Sequence, residues 1–281
     1  MTPIELKLNL PTPDLDAHGH EILEQALATR AQAGELIKEE KYLEAMERTI
    51  ASLKTMRDFP DYQHREFKLL FVALLFDLAE LHYALQNYKQ SEKEVDTLFK
   101  VLDNLVKSDE ERFGPYHILA MELSTRILRS RKKALDLLVK QQITTGSLFE
   151  KVNSGVVAAT DKLVDSLYKS AKLLASTGDI RESLKFYAEA IKLSKKRTGR
   201  LTPKEIKMSM EMAEVMMRLR SMRPRAKRLL TTILPSAEAL KTEELAKDVK
   251  SLLELFDTNA EPDSKWRLFL HKVISGRKNG E

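Results

Sequence analysis

Residues 178–193 read GDIRESLKFYAEAIKL, and this stretch decides how the rest of the chain is read. Gly178-Asp179 closes a turn between two helical segments. Behind it small and aromatic residues, Ser183, Tyr187 and Ala190, recur at the three- and four-residue steps of one helix face. The segment before it, from about Val156 to Ser176, has the same periodicity. The two together read as a helical hairpin.

Working outward, weaker copies of this pattern surround Tyr42, Tyr88, Arg131 and Arg223. A small residue on the second helix of each copy falls at Ala45, Ser91, Ala134, Ser183 and Ala226, with spacings of 46, 43, 49 and 43 residues. The matching first-helix positions are Ala33, Ala79, Glu122, Ala171 and Glu214. Two of the five are therefore not small. An amphipathic hairpin leaves one apolar face uncovered, and stacking the next hairpin covers it.

On these residues the chain resembles the tetratricopeptide repeat family, in an extended and irregular form. The family's common period is about 34 residues, so longer spacing implies longer helices or loops. The aromatic that precedes helix B in the family is kept as Tyr42 and Tyr88, and becomes Ile180, Arg131 and Arg223 elsewhere. The resemblance implies an all-α fold. It would be a right-handed α-α superhelix of about five hairpins spanning residues 20–258, with capping helices at its C-terminal end. An irregular segment, 1–19, precedes it, and a short capping helix and tail, 259–281, follow it.

Composition agrees with an all-helical chain. Among 281 residues there are only nine Gly and nine Pro, no Cys, and abundant Ala, Leu, Lys, Glu and Met. The lack of Cys excludes disulfides, thiolate metal sites and a cysteine nucleophile. The N-terminal stretch, interrupted by Pro3, Pro11 and Pro13, does not read as a signal peptide. The longest apolar run, LLFVALLF at 69–76, falls far short of the ~20 residues that cross a bilayer. The expectation is a cytoplasmic, soluble protein.

Within that frame the helices expected are 20–38, 42–59, 67–85, 88–105, 116–129, 132–142, 156–176, 180–196, 203–222, 225–234 and 243–256, with a last one at 266–274. Gly114-Pro115 and the TTGS segment around Gly146 read as breaks. Thr202-Pro203-Lys204-Glu205 reads as a capped helix start, with the Thr202 hydroxyl and the Glu205 carboxylate as the two halves of a capping box.

Motifs for chemistry are scarce. GxxxxGK[ST], GxGxxG, GxSxG and HExxH are all absent, and no enzyme, cofactor or metal site is expected. His18-Gly19-His20 reads as a surface pair and His82 as a partly buried side chain. Six Met between 208 and 222 suit core packing; a hydrophobic groove is the other reading.

In a tetratricopeptide stack helix A lines the inner surface. By resemblance the lining takes in Arg30, Lys38, Phe76, Glu80, Tyr83, Tyr116, Arg126, Tyr168, Lys172, Glu211 and Arg218. Cations beside tyrosines suit an acidic or aromatic-containing peptide. The function expected is a non-enzymatic scaffold that binds a peptide or helix of another protein in this groove.

Charge offers a second reading. Residues 1–60 carry eleven acidic and seven basic side chains, whereas 195–228 carry twelve basic and three acidic ones. The basic set includes Lys195, Lys196, Arg197, Arg200, Arg220, Arg223, Arg225, Lys227 and Arg228. Such a cluster fits either phosphates of RNA or a solvated helix face. No aromatic lies inside it to stack on bases. A third reading is membrane-surface association through Trp266 and its apolar neighbours.

Overall fold

The computed structural model of the chain describes residues 15–59, 61–198, 201–240 and 243–256. All regular structure among them is helical. In order, the helices are α1 (Ala17–Lys38), α2 (Tyr42–Thr55), α3 (Arg65–Ala84), α4 (Tyr88–Ser108), α5 (Glu110–Asn153), α6 (Ala159–Thr177), α7 (Ile180–Thr198), α8 (Pro203–Met217), α9 (Arg223–Ala239) and α10 (Glu243–Glu254). Single 3-10 turns follow α2 and precede α9. The expected helix at 266–274 and residues 1–14 lie outside the described residues.

Four antiparallel hairpins form, α1–α2, α3–α4, α6–α7 and α8–α9, and packing runs mainly between neighbours in sequence. Three of the four turns share one local chemistry. Glu40, Gln86 and Gly178 adopt the left-handed conformation, with φ of 58°, 55° and 92°. The next amide in each turn reaches back five residues: Lys41 to the Leu36 carbonyl at 2.9 Å, Asn87 to His82 at 2.8 Å, and Asp179 to Leu174 at 2.9 Å. These bonds satisfy carbonyls that the helix end leaves open.

The small residues also sit where expected. Ala33, Ala45, Ala79, Ser91, Ala171 and Ser183 are buried. In two hairpins the helix-B serine donates to the helix-A alanine carbonyl: Ser91 to Ala79 and Ser183 to Ala171, both at 2.7 Å. Close approach of the two backbones leaves room for a hydroxymethyl group and nothing larger. In the last hairpin the fully buried small residue on α8 is Ala213; Glu214, expected there, lies one position further on.

The third hairpin differs from expectation. Glu122 and Ala134 belong to one uninterrupted helix, α5, so the count is four hairpins among the described residues and not about five. Left-handed turns recur 46 and 92 residues apart (Glu40, Gln86, Gly178), and one at the same interval would fall at Lys132. No turn forms there: RSRKKALDLL is rich in strong helix formers, and the helix runs through it. Pro115 does not break the helix. It is the sixth residue of the helix, so its ring forgoes one bond, to the Glu111 carbonyl, and the helix continues past it. The Asp109 carboxylate accepts from the Arg112 amide at 3.2 Å at that end. The TTGS segment is helical too, held by Thr145, whose hydroxyl meets Gln141 O at 2.8 Å and Ser166 Oγ at 2.8 Å.

The chain divides into two compact units at Arg129/Ser130, with α5 contributing to both. The first has a large core built around α3, whose apolar side chains from Phe67 to Leu81 are buried on nearly every face. The second has a core of Leu163, Val164, Leu167, Ala190 and Met208. Met208, Met210 and Met216 are buried, so these Met serve packing. The capping box at Thr202 is formed as read, and Glu205 is fully buried.

Candidate functional site

Each unit carries a cluster of tyrosine, cation and carboxylate on helix-A surfaces. In the first unit α3 supplies three buried acids to an otherwise apolar helix: Glu66, Asp77 and Glu80. A buried carboxylate must meet a cation or lose its charge. Each meets an arginine. Arg30 of α1 grips Asp77 through Nε at 2.6 Å and Nη2 at 3.2 Å. Arg112 of α5 binds both oxygens of Glu66, at 3.0 and 3.1 Å. Arg126 of α5 is paired with Glu80.

Arg126 also lies over the Tyr83 ring, 5.3 Å from its centre, and Tyr83 rests against Tyr88. Tyr116 of α5 is half-buried; burial raises its hydroxyl pKa and the nearby Arg30 charge partly offsets that. Phe76, expected to line the groove, is in the core. Lys38 stands apart from the cluster. It pairs with Glu35 on its own helix at 2.7 Å, and both side chains are exposed.

In the second unit the cluster centres on Glu211 of α8. Its Oε1 accepts from the Tyr168 hydroxyl at 2.6 Å and lies 3.5 Å from the Lys172 ammonium; its Oε2 accepts from Tyr187 at 3.2 Å. Lys172, one turn beyond Tyr168 on α6, lies 5.4 Å from that ring's centre. Burial first, and then the Glu211 carboxylate, raise both tyrosine hydroxyls well above their ordinary range. Glu214, one turn further on α8, is pushed up to about 7 by burial and by Glu211, against the opposing pull of Arg218 and Lys172. Arg218 donates to the Ala175 carbonyl at 3.1 Å.

Of the residues named from the sequence, the structure brings Tyr168, Lys172 and Glu211 into contact, and likewise Glu80, Tyr83 and Arg126, while Arg218 bonds the Ala175 carbonyl. Sequence reading misses Asp77, Glu66 and Arg112. A signal for them existed. The cross-helix partners Glu66–Arg112 and Glu80–Arg126 are 46 residues apart, and Arg30–Asp77 are 47 apart. Tyr168–Glu211 are 43 apart. These separations are close to the spacing of the small residues, and the side chains named are what join α1 to α3, α3 to α5 and α6 to α8.

Lys195 is exposed near the end of α7, and Arg225, Lys227 and Arg228 are exposed on α9. Arg223 leans on the Phe256 ring at 6.0 Å, and Lys204 pairs with Asp165 at 2.6 Å. The side chains of Lys196, Arg197 and Arg220, and all of Arg200, lie outside the described residues. His18 and His20 are on the first turns of α1, and His82 is half-buried. Among the described residues no three His, Asp or Glu side chains come together as a metal site, and no helix is long and apolar enough to cross a membrane.

What these clusters present outward is a cation stacked on a tyrosine, with a glutamate fixing the cation. Arg126 and Lys172 are both about half exposed, at 48% of the side chain. Each pair offers a planar or ammonium donor set beside an aromatic face. No family model, curated protein or solved structure matches the chain.

Proposed function

We propose that the chain is a non-enzymatic scaffold that holds another protein, taking a peptide or helix against the helix-A surfaces of α3/α5 and α6/α8. The observation that carries this reading is the recurrence of one arrangement in both units: Tyr83–Arg126–Glu80 and Tyr168–Lys172–Glu211. Tyrosine and arginine at half-exposed, pre-ordered positions are the side chains that anchor protein interfaces. A cation held over a ring loses little rotamer freedom when a partner carboxylate arrives.

The test is affinity capture from the native source followed by identification of the retained protein. Changing Lys172→Gln and Arg126→Gln together is expected to reduce retention of one specific partner about tenfold. Arg126→Lys, which keeps the charge for Glu80 and loses the planar stack, should give an intermediate loss. A partner profile unchanged by the double variant would refute the reading. An RNA-binding reading rests on exposed Arg225, Lys227 and Arg228. It requires retention of RNA at low salt that falls steeply as salt is raised.

A further inference from the structure

Large apolar side chains exposed on the surface concentrate on one helix. Of the ten such residues among the described ones, eight lie on α5, and the other two, Val156 and Val157, follow shortly after its end. Six of the eight recur along one side: Ile118, Met121, Leu128, Leu135, Val139 and Ile143, between 43% and 72% exposed. The side that α5 buries is different and narrower, marked by Ala120, Leu123, Ile127, Ala134 and Leu138.

The spacing of the exposed set is informative. Met121, Leu128 and Leu135 follow at seven-residue steps, as do Ile118, Thr125, Lys132 and Val139. Alternating three- and four-residue steps form the seam that accepts the side chains of a second helix; an extended strand would not match this period. Lys132 lies in the seam, Arg129 flanks it, and Lys133 and Lys140 are exposed further round the same side; the exposed acids there are Asp136 and Glu122, so cations outnumber acids by four to two.

We infer that the exposed face of α5 is a docking surface for an amphipathic helix of another protein, with carboxylates flanking its apolar stripe. Charge selects this occupant. A second copy of the chain paired in parallel register along this seam brings Arg129, Lys132 and Lys133 against themselves. The chain's own stripe at 266–274, WRLFLHKVI, carries Arg267 and Lys272 and no carboxylate, so it adds to the same repulsion. An acidic helix places Glu or Asp against these cations while its apolar residues cover the seam. Arg126 of the first tyrosine–cation cluster also lies on α5, one turn before Arg129, whereas Leu135 and Val139 belong to neither cluster, so replacing them tells the two surfaces apart.

The probe is a synthetic helix of about three heptads with Leu at both core positions and Glu flanking them. It is compared with its Lys-flanked counterpart, with vesicles of phosphatidylglycerol, and with the protein's own mass in solution. The Glu-flanked helix is expected to bind saturably and the Lys-flanked one at least about tenfold more weakly. Leu135→Glu with Val139→Glu should abolish binding, with the helical content unchanged. Lys132→Glu with Lys133→Glu should reverse the preference between the two peptides. Equal binding of both peptides, no binding of either, or binding that survives the apolar variants overturns the inference. Vesicle uptake or dimerisation that disappears in the Leu135/Val139 variant, without peptide binding, assigns the face to a membrane or to a second copy and overturns it as well.

Discussion

Glu214 shows how one side chain of the second cluster sets a pH dependence. Its carboxyl is held up to about 7 in the folded chain, chiefly by burial and then by Glu211. The unfolded carboxyl titrates near 4.5. Between these values the folded state keeps a proton that the unfolded state has released, so the stability contributed by this group falls as pH rises from about 4.5 to about 7. Above the folded value both states are ionised and the loss is complete, on the order of 1–3 kcal/mol. Glu214→Gln should remove that slope and raise the melting temperature at pH 8. A pair of melting curves across pH 4–8, wild type against variant, checks it; parallel curves would mean that Glu214 ionises freely. Ser183 offers a second check at this scale. Ser183→Ala removes only its 2.7 Å bond to Ala171 and should cost about 1 kcal/mol. Ser183→Leu forces the two helices apart and should cost about 3 kcal/mol or more. These small positions were legible in the sequence because helix packing imposes their size. The Arg30–Asp77 and Arg112–Glu66 pairs were not read, since nothing local to either residue names its partner one repeat away.

Hairpin turns were legible element by element where a residue with turn chemistry marked them. Gly178 announced its turn. Glu40 and Gln86 adopt the same left-handed backbone, although neither is a residue that favours it, and what marked those turns was the helix patterning on either side. Both side chains are exposed, so Gly can replace them without losing contacts. Gln86→Gly is expected to stabilise the chain by about 0.5–1 kcal/mol, as relief of backbone strain outweighs the added freedom of the unfolded chain. Gly178→Ala should destabilise it by about 1 kcal/mol for the converse reason. Urea midpoints at constant m-value report both. The long helix α5 was misread because Pro115 and Gly146 are breakers by type, while their positions disarm them. Pro115 lies in the second turn of the helix, so only the single turn before it depends on the bond it forgoes. Gly146 adjoins Thr145, whose hydroxyl is bonded to α6. Propensity is a local statement, and packing at Thr145 overrides it.

At the scale of the whole molecule, helices pack mainly with sequence neighbours, and each unit carries its own core. Where packing is this local, stability is expected to be close to a sum of hairpin and neighbour contributions. The all-helical class followed from composition and period, whereas the division at Arg129/Ser130 was not read, because the seam falls inside a helix with no linker composition to mark it. Local cores make a specific expectation for hydrogen exchange. Leu163 is fully buried in the second unit's core, and Leu163→Ala should cost about 2–5 kcal/mol there. Amide protection should then fall in α6–α9 and hold in α1–α4, since the two cores have no residue in common. The first half of α5 should follow α1–α4 and its second half should follow α6–α9, with the change of protection between them near Ser130. A uniform loss from α1 to α10 would instead show that the unbroken hydrogen-bond ladder of α5 couples both cores into one cooperative block.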